Sequence, residues 1–246
     1  MDSTIQTIPL TRLAVAFIPA LVAVAIMYKW SLNATNGLYA MARMLAQLLI
    51  IGYFLTSIFE SDSASIVVAI LVVMVVASSW IALGTVSDKR RRLYGAASCS
   101  ILIGGGITLL LVTQAVLGLD PWYWSPYMVP LAGMIFASSM NSVSLAAERM
   151  NAELGRGVDY TSARNIAFQA SLIPVINSLF AVGLVSLPGM MTGQILSGVS
   201  PLIAARYQIM VMCMIFGSSG MSAALFLVMA KHRFTEADTA SQSIER

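Results

Sequence analysis

Charged side chains are scarce here: 10% of 246 residues, where soluble domains carry about 25%. With 58% hydrophobic residues and a mean hydropathy of +0.83, no globular core of this size could absorb the apolar surface. The bilayer has to act as the solvent. Histidine occurs once, as His232 in a basic tail, which removes any multi-histidine zinc site or serine–histidine nucleophile. The two cysteines, Cys99 and Cys213, both lie inside apolar runs. There a thiol behaves as a small hydrophobe, and no disulfide is expected. No HExxH, GxSxG or GxxxxGK[ST] pattern is present. Without a phosphate-cradling loop the chain is not expected to bind or hydrolyse ATP, and no cofactor is assigned to it. The triplet Gly104–Gly106 precedes neither a lysine nor a strand and is read as a packing or kink site. No Asp, Glu, Lys or His falls near the middle of an apolar segment, which argues against a proton relay at depth.

What the chain has in quantity is apolar segments near the roughly 20 residues that a spanning helix needs. Seven are expected, over 8–28, 38–59, 64–84, 95–119, 127–147, 166–187 and 207–230. The first lacks the basic flank of a secretory signal and is read as a retained span. Seven spans place twelve of the fourteen Lys and Arg residues on one side, including "DKRRR" (88–92), Arg149, Arg156 and Arg164, and leave Arg12 and Arg206 on the other. Basic residues concentrate on the cytoplasmic side, so the amino terminus is expected outside and the carboxyl terminus inside. Trp122, Tyr123, Trp124 and Tyr127 fit an interfacial aromatic belt in the outer connection between the fourth and fifth spans. The expected class is therefore an all-α polytopic membrane protein of the plasma membrane. It has one transmembrane domain over 1–234 and a short cytoplasmic tail over 235–246. The lipid bilayer is a partner; nucleic acid is not.

One stretch contradicts the pattern of unbroken helices. "VGLVSLPGMMTGQILSG" (182–198) is apolar but holds Pro188 and glycines at 183, 189, 193 and 198, the residues least suited to a helix interior. It lies inside a charge-free run of 41 residues between Arg164 and Arg206. Two full spans there would place the basic tail outside, so an interrupted or re-entrant segment after the sixth span is expected. Irregular backbone at membrane depth survives only against protein or beside a water-filled cavity, and transporters place broken helices at such cavities. Close packing through Gly189 and Gly193 is the competing explanation. The sixteen methionines are spread over the whole chain, which favours gap-filling over a soft-metal pathway. Met190 and Met191, beside the break, are the exceptions.

Three blocks resemble the FetB-like permeases, ABC-type iron exporters of bacteria with plant aluminium-tolerance membrane subunits as relatives. They are "RMLAQLLIIGYFLTSIF" (43–59), "VPLAGMIFASSMNSVSL" (129–145) and "SLIPVINSLFAVGLVSLPGMMTGQILSGVSPLIAARYQIMV" (171–211). The last carries the family's Val-Gly-Leu, Leu-Pro-Gly-Met-Met-Thr-Gly and Tyr-Gln-Ile elements at 182–184, 187–193 and 207–209. The resemblance implies a permease subunit, a homodimer of it, and a separate cytoplasmic ATPase that binds the ATP. ATPase docking is then expected in the loop 147–165, on Glu153, Gly155, Arg156 and Arg164, and the loop can hold a short helix capped by Gly155. Here the chain departs from its relatives, with Arg156-Gly157 where Ala-Thr stands in them and a shorter segment. The translocation path is assigned to Gln47, Asn177, Pro188, Gly189, Met190, Met191, Gly193 and Gln194, with no metal ligands assigned. Export of iron or another metal species is the leading function. An organic solute such as a nucleotide sugar, or a non-transporting membrane scaffold, remains open from the residues.

Overall fold

The computed structural model describes residues 8–60 and 63–234; the tail assigned to 235–246 lies outside them. The chain divides into two compact units, Met1–Glu60 and Ser61–Arg246. Among the described residues the regular structure is helical, with a single isolated bridge, Val182 to Ser186, and no strand.

The first unit holds α1 (Leu10–Val15), α2 (Phe17–Lys29) and α3 (Ala34–Phe59). The interruption between α1 and α2 follows from Pro19, which has no N–H and whose ring clashes with the carbonyl four residues back, that of Val15. α2 and α3 form a hairpin in which Gly37 approaches the Met27 sulfur; a Cβ there would lie 3.5 Å from it. Neither apolar stretch has a buried residue within this unit.

The second unit contains α4 (Ala64–Ala82), α5 (Arg90–Leu110), α6 (Ser125–Gly155), α7 (Tyr160–Ala181), α8 (Gly189–Leu196) and α9 (Pro201–Met229). A 3-10 turn over Leu83–Val86 follows α4, and a π-helical turn over Leu111–Val116 extends α5. α9 packs along both α5 and α6, while α7 lies against α6 and α9. The core is built largely from small side chains, among them Ala97, Ala132, Ala146, Ala167 and Ala223, all fully buried. That is what association in lipid requires: tails are as apolar as leucine, so helices gain by close approach and interhelical hydrogen bonds. Gly104 and Gly105 set two of these approaches. A Cβ on Gly104 would lie 2.6 Å from the Ser222 hydroxyl on α9, and one on Gly105 would lie 2.9 Å from the Phe136 ring on α6. The glycine triplet is a packing site. Beside it, the Ser222 hydroxyl donates to the Ser139 hydroxyl (3.1 Å), which donates to the Ser218 carbonyl (3.3 Å).

Helix occupies each of the seven expected segments, with shifted ends and with the first segment divided into α1 and α2. α3 begins at Ala34 and α5 at Arg90, where the charges suggested connections. Basic residues are tolerated there because they find partners: the Arg90 guanidinium sits 4.6 Å from the Trp80 ring centroid. Six helices among the described residues are long and apolar enough to cross a membrane. α7 is not among them, because Arg164, Asn165, Gln169 and Asn177 dilute its hydropathy. It ends at Ala181 rather than at Leu187, since Val182 turns extended (ψ 129°) and Gly183 N–H closes a tight turn onto the Ser186 carbonyl at 2.9 Å.

The largest correction concerns 147–165, expected as a loop. α6 continues through it to Gly155, and only 156–159 separate it from α7. Ala147, Glu148, Arg149, Met150 and Leu154 are strong helix formers, and Arg149 bridges Glu153 at 2.7 Å one turn on. The helix is closed by Gly157 rather than Gly155. Gly157 N–H reaches the Leu154 carbonyl and Val158 N–H the Glu153 carbonyl, the paired bonds of a Schellman motif, with Gly157 at φ +80°.

Glu153 is buried, with Arg149 on one side and Arg156 at 3.1 Å on the other. Glu153→Ala should destabilise the second unit by about 1–3 kcal/mol, because two guanidinium groups lose their shared acceptor. Thermal unfolding in detergent measures this, and Glu153→Gln should fall between the two.

Asp159 starts α7, its carboxylate accepting from Ser162 N–H at 3.0 Å. Those hydrogen bonds, from Ser162 first, hold its carboxyl below the usual carboxylate range. A lowered folded-state value means stabilisation present above the ordinary carboxylate pKa and lost as pH falls through the lowered one. Asp159→Asn keeps the cap without the titration. The unfolding midpoint of that variant should fall less between neutral pH and pH about 3 than that of the parent chain.

Candidate translocation cavity

Two ends of the second unit are chemically distinct. At one, Lys89 donates to the Asn151 carboxamide (2.8 Å) and lies 5.8 Å from the Phe234 ring, Arg233 donates to the Arg92 carbonyl (2.8 Å), and Lys231 stands over Tyr160. The α4–α5 connection, the α6–α7 connection and the segment after α9 therefore meet at one basic end. At the other, Trp122 packs edge-on to Tyr123 and Trp124 tilts over Tyr127. α7 runs antiparallel to α9: Arg164 and Phe168 adjoin Leu227 near the basic end, while Val175 and Ser178 face Val211 and Met212 across a cavity towards the other.

That cavity, about 450 Å³, lies between α6, α7, α9 and the segment 182–190. Ser138, Asn141 and Ser142 enter from α6, Ser171 and Ser178 from α7, and Gln208 from α9. Pro188, Gly189 and Met190 close one wall. Every polar group in this lining is a hydroxyl or a carboxamide; no charged side chain contributes. Pro174, inside α7, also lines the cavity; lacking an N–H, it leaves the Ala170 carbonyl without its intrahelical donor. Gln208 is 6% exposed, and its carboxamide oxygen has no hydrogen-bond donor. Burying such an acceptor unpaired costs about 1–3 kcal/mol, so an orphan of this kind calls for a reason.

The break is organised rather than unwound. Pro188 stands immediately before α8, which carries Met190, Met191, Gly193 and Gln194, and irregular backbone flanks it over 182–187 and 197–200. Gly198 (φ +91°) reverses the chain after α8, and Pro201 opens α9 at its first position. Of the residues assigned to the path, Pro188, Gly189 and Met190 line the cavity. Met191 and Gly193 lie on α8 outside its lining, and Gln194 faces inward with its carboxamide oxygen unpaired. Asn177 is exposed on α7, and Gln47 is exposed on α3 in the other unit. Among the docking residues, Glu153 is turned inward, Gly155 and Arg156 are exposed at the end of α6, and Arg164 donates to the Asn165 carboxamide (3.0 Å). Gln208, Asn141 and the serines were absent from the assigned path. The available signal was that Asn141 and Gln208 are polar residues within spans and fall inside the blocks 129–145 and 207–209.

The sequence profile described as an uncharacterised protein family, UPF0014, matches residues 10–164 and 159–235. The chain belongs to this family. A UPF0014 membrane protein of Synechocystis is 34% identical over 216 residues, covering 81% of this chain and 83% of the relative. The Escherichia coli protein named "Probable iron export permease protein FetB" is 31% identical over 243 residues, 90% of each chain. The Arabidopsis thaliana protein named "ALUMINUM SENSITIVE 3" is 30% identical over 226 residues, 85% of this chain and 81% of the relative. No solved structure matches. This UPF0014 chain is a multi-pass bacterial membrane protein, and two of its three resemblance blocks converge on one cavity.

Proposed function

We propose that this UPF0014 chain is the membrane-spanning subunit of an ABC-type exporter of the bacterial plasma membrane, carrying a metal species through the cavity between α6, α7, α8 and α9. The observation that carries this reading is the cavity walled by the broken segment, largely apolar but lined by uncharged hydroxyls and carboxamides, with an unpaired buried acceptor at Gln208. The name of the Escherichia coli relative supports a metal as cargo. ATP binds to a separate cytoplasmic ATPase, and two copies of the permease assemble on two ATPase chains. The basic end faces the cytoplasm, as the asymmetry of Lys and Arg demands. The ATPase meets the exposed turn Gly155–Asp159, between α6 and α7. α7 begins at this turn and reaches the cavity at Ser171, so displacing its first turn shifts the wall where Pro174 already weakens the helix. α8, tethered by irregular backbone on both sides, rearranges between inward- and outward-open forms.

The test is reconstitution with a cytoplasmic ABC-type ATPase that co-purifies with it. ATPase turnover should rise in the presence of this subunit, and vesicles should accumulate iron or another metal in an ATP-dependent way. Deleting residues 156–158 should abolish the association. ATPase turnover indifferent to this subunit would overturn the permease reading.

A further inference from the structure

We infer that the cavity takes a soft monovalent cation, Cu(I) or Ag(I), on methionine thioethers; this rests on the metal-export reading and narrows its substrate class. Met134 of α6, Met190 of α8 and Met212 of α9 come from three different elements and line the same cavity. Along the sequence these methionines are 56 and 22 residues apart, so only the fold reveals the group. All three are half-buried.

The donor set decides the class of metal. Hard divalent and trivalent cations need carboxylate oxygens, and iron(II) takes imidazole and carboxylate. The lining offers neither, and no group of three His, Cys, Asp or Glu suited to a metal exists among the described residues. The cost of moving an ion from water into a weakly polar interior rises with the square of its charge, so a cavity without a counter-charge penalises divalent and trivalent ions far more than monovalent ones. Neutral thioethers are soft ligands that select Cu(I). Gln208 supplies the independent sign: it lines the same cavity, is 6% exposed, and its carboxamide oxygen is buried without a hydrogen-bond donor. Rotation of the carboxamide about its broad terminal torsion would present that oxygen to a water carried on the ion.

The probe is Ag(I), which needs no reductant, titrated calorimetrically into the purified full chain in detergent. Cys99→Ser and Cys213→Ser are included in every sample, because both thiols are exposed and would bind silver themselves. The test variant carries Met134→Leu, Met190→Leu and Met212→Leu, swaps of similar volume that cores tolerate. Met221→Leu, at an exposed position outside the cavity, is the control. Saturable Ag(I) binding that weakens at least tenfold in the triple variant and not in the control is expected, with unchanged thermal unfolding. Absence of saturable binding, or equal binding by the triple variant, would overturn the inference. Flux separates it from the reading beneath it. ATP-driven metal export together with silver binding that is equal in the triple variant would retain metal export and remove the thioether site. Thioether-dependent silver binding with no metal flux would retain the site and remove the exporter.

Discussion

Replacing Gly104 by leucine should destabilise the second unit by about 3 kcal/mol or more and leave little folded protein in detergent. Even the first added carbon would lie 2.6 Å from the Ser222 hydroxyl and 2.8 Å from its backbone nitrogen. A hydroxyl can rotate away; a backbone nitrogen in the middle of α9 moves only if the helix moves. Displacing α9 would also open the hydrogen bonds joining Ser139 to Ser218 and Ser222, and in lipid no water replaces them. Gly104→Ala should show the same direction with a smaller loss. Gly106→Ala is the control, since a Cβ there meets nothing within 4 Å, and alanine is the better helix former. Scanning calorimetry of the three variants in one detergent decides the matter. Equal midpoints for Gly104→Ala and Gly106→Ala would show that α5 and α9 do not touch at this point.

Gln208→Leu should separate function from stability. The carboxamide oxygen is buried without a donor, so an apolar side chain of similar length removes a desolvation cost and should leave stability unchanged or raise it by up to about 1–3 kcal/mol. Transport should fall at least tenfold, because α9 offers the cavity no other polar side chain. Opposite signs for the two readouts are hard to obtain from a residue with a structural role alone, where losing a side chain lowers both. Gln208→Glu should also lower transport of an organic anion, yet raise retention of a cation by adding a counter-charge. Full transport by Gln208→Leu would move the path away from this cavity.

How far the sequence was legible depends on whether a property is local. The bilayer as solvent and the approximate places of the helices follow from apolar runs near the length of a membrane crossing; the structure has helix at each expected segment, but α7 is not among the six helices long and apolar enough to cross. The break at 182–198 was legible because Pro188 and the glycines act on the backbone where they stand. The docking segment reads as a loop with at most a short helix when its charges are counted without their spacing. Arg149 and Glu153, four residues apart, favour a helix projecting beyond the apolar layer. Gly157 then ends it, where Gly155 was the expected cap.

The composition and the order of residues by themselves determined that this is a helical membrane chain of the UPF0014 kind, interrupted before its last helix. Each of those properties is set by energies that a segment experiences alone: the cost of exposing backbone or charge to hydrocarbon. Tertiary structure decided which polar residues share a cavity. Asn141, Ser171, Pro188 and Gln208 are far apart along the chain, and their meeting depends on how α6, α7 and α9 pack through small side chains. Asn177 carries the same kind of side chain as Gln208 but stands exposed on α7 outside the cavity lining, and Gln47 is exposed on α3 in the other unit. A carboxamide is equally costly to bury wherever it stands in a span, so its chemistry cannot say which one the packing will enclose.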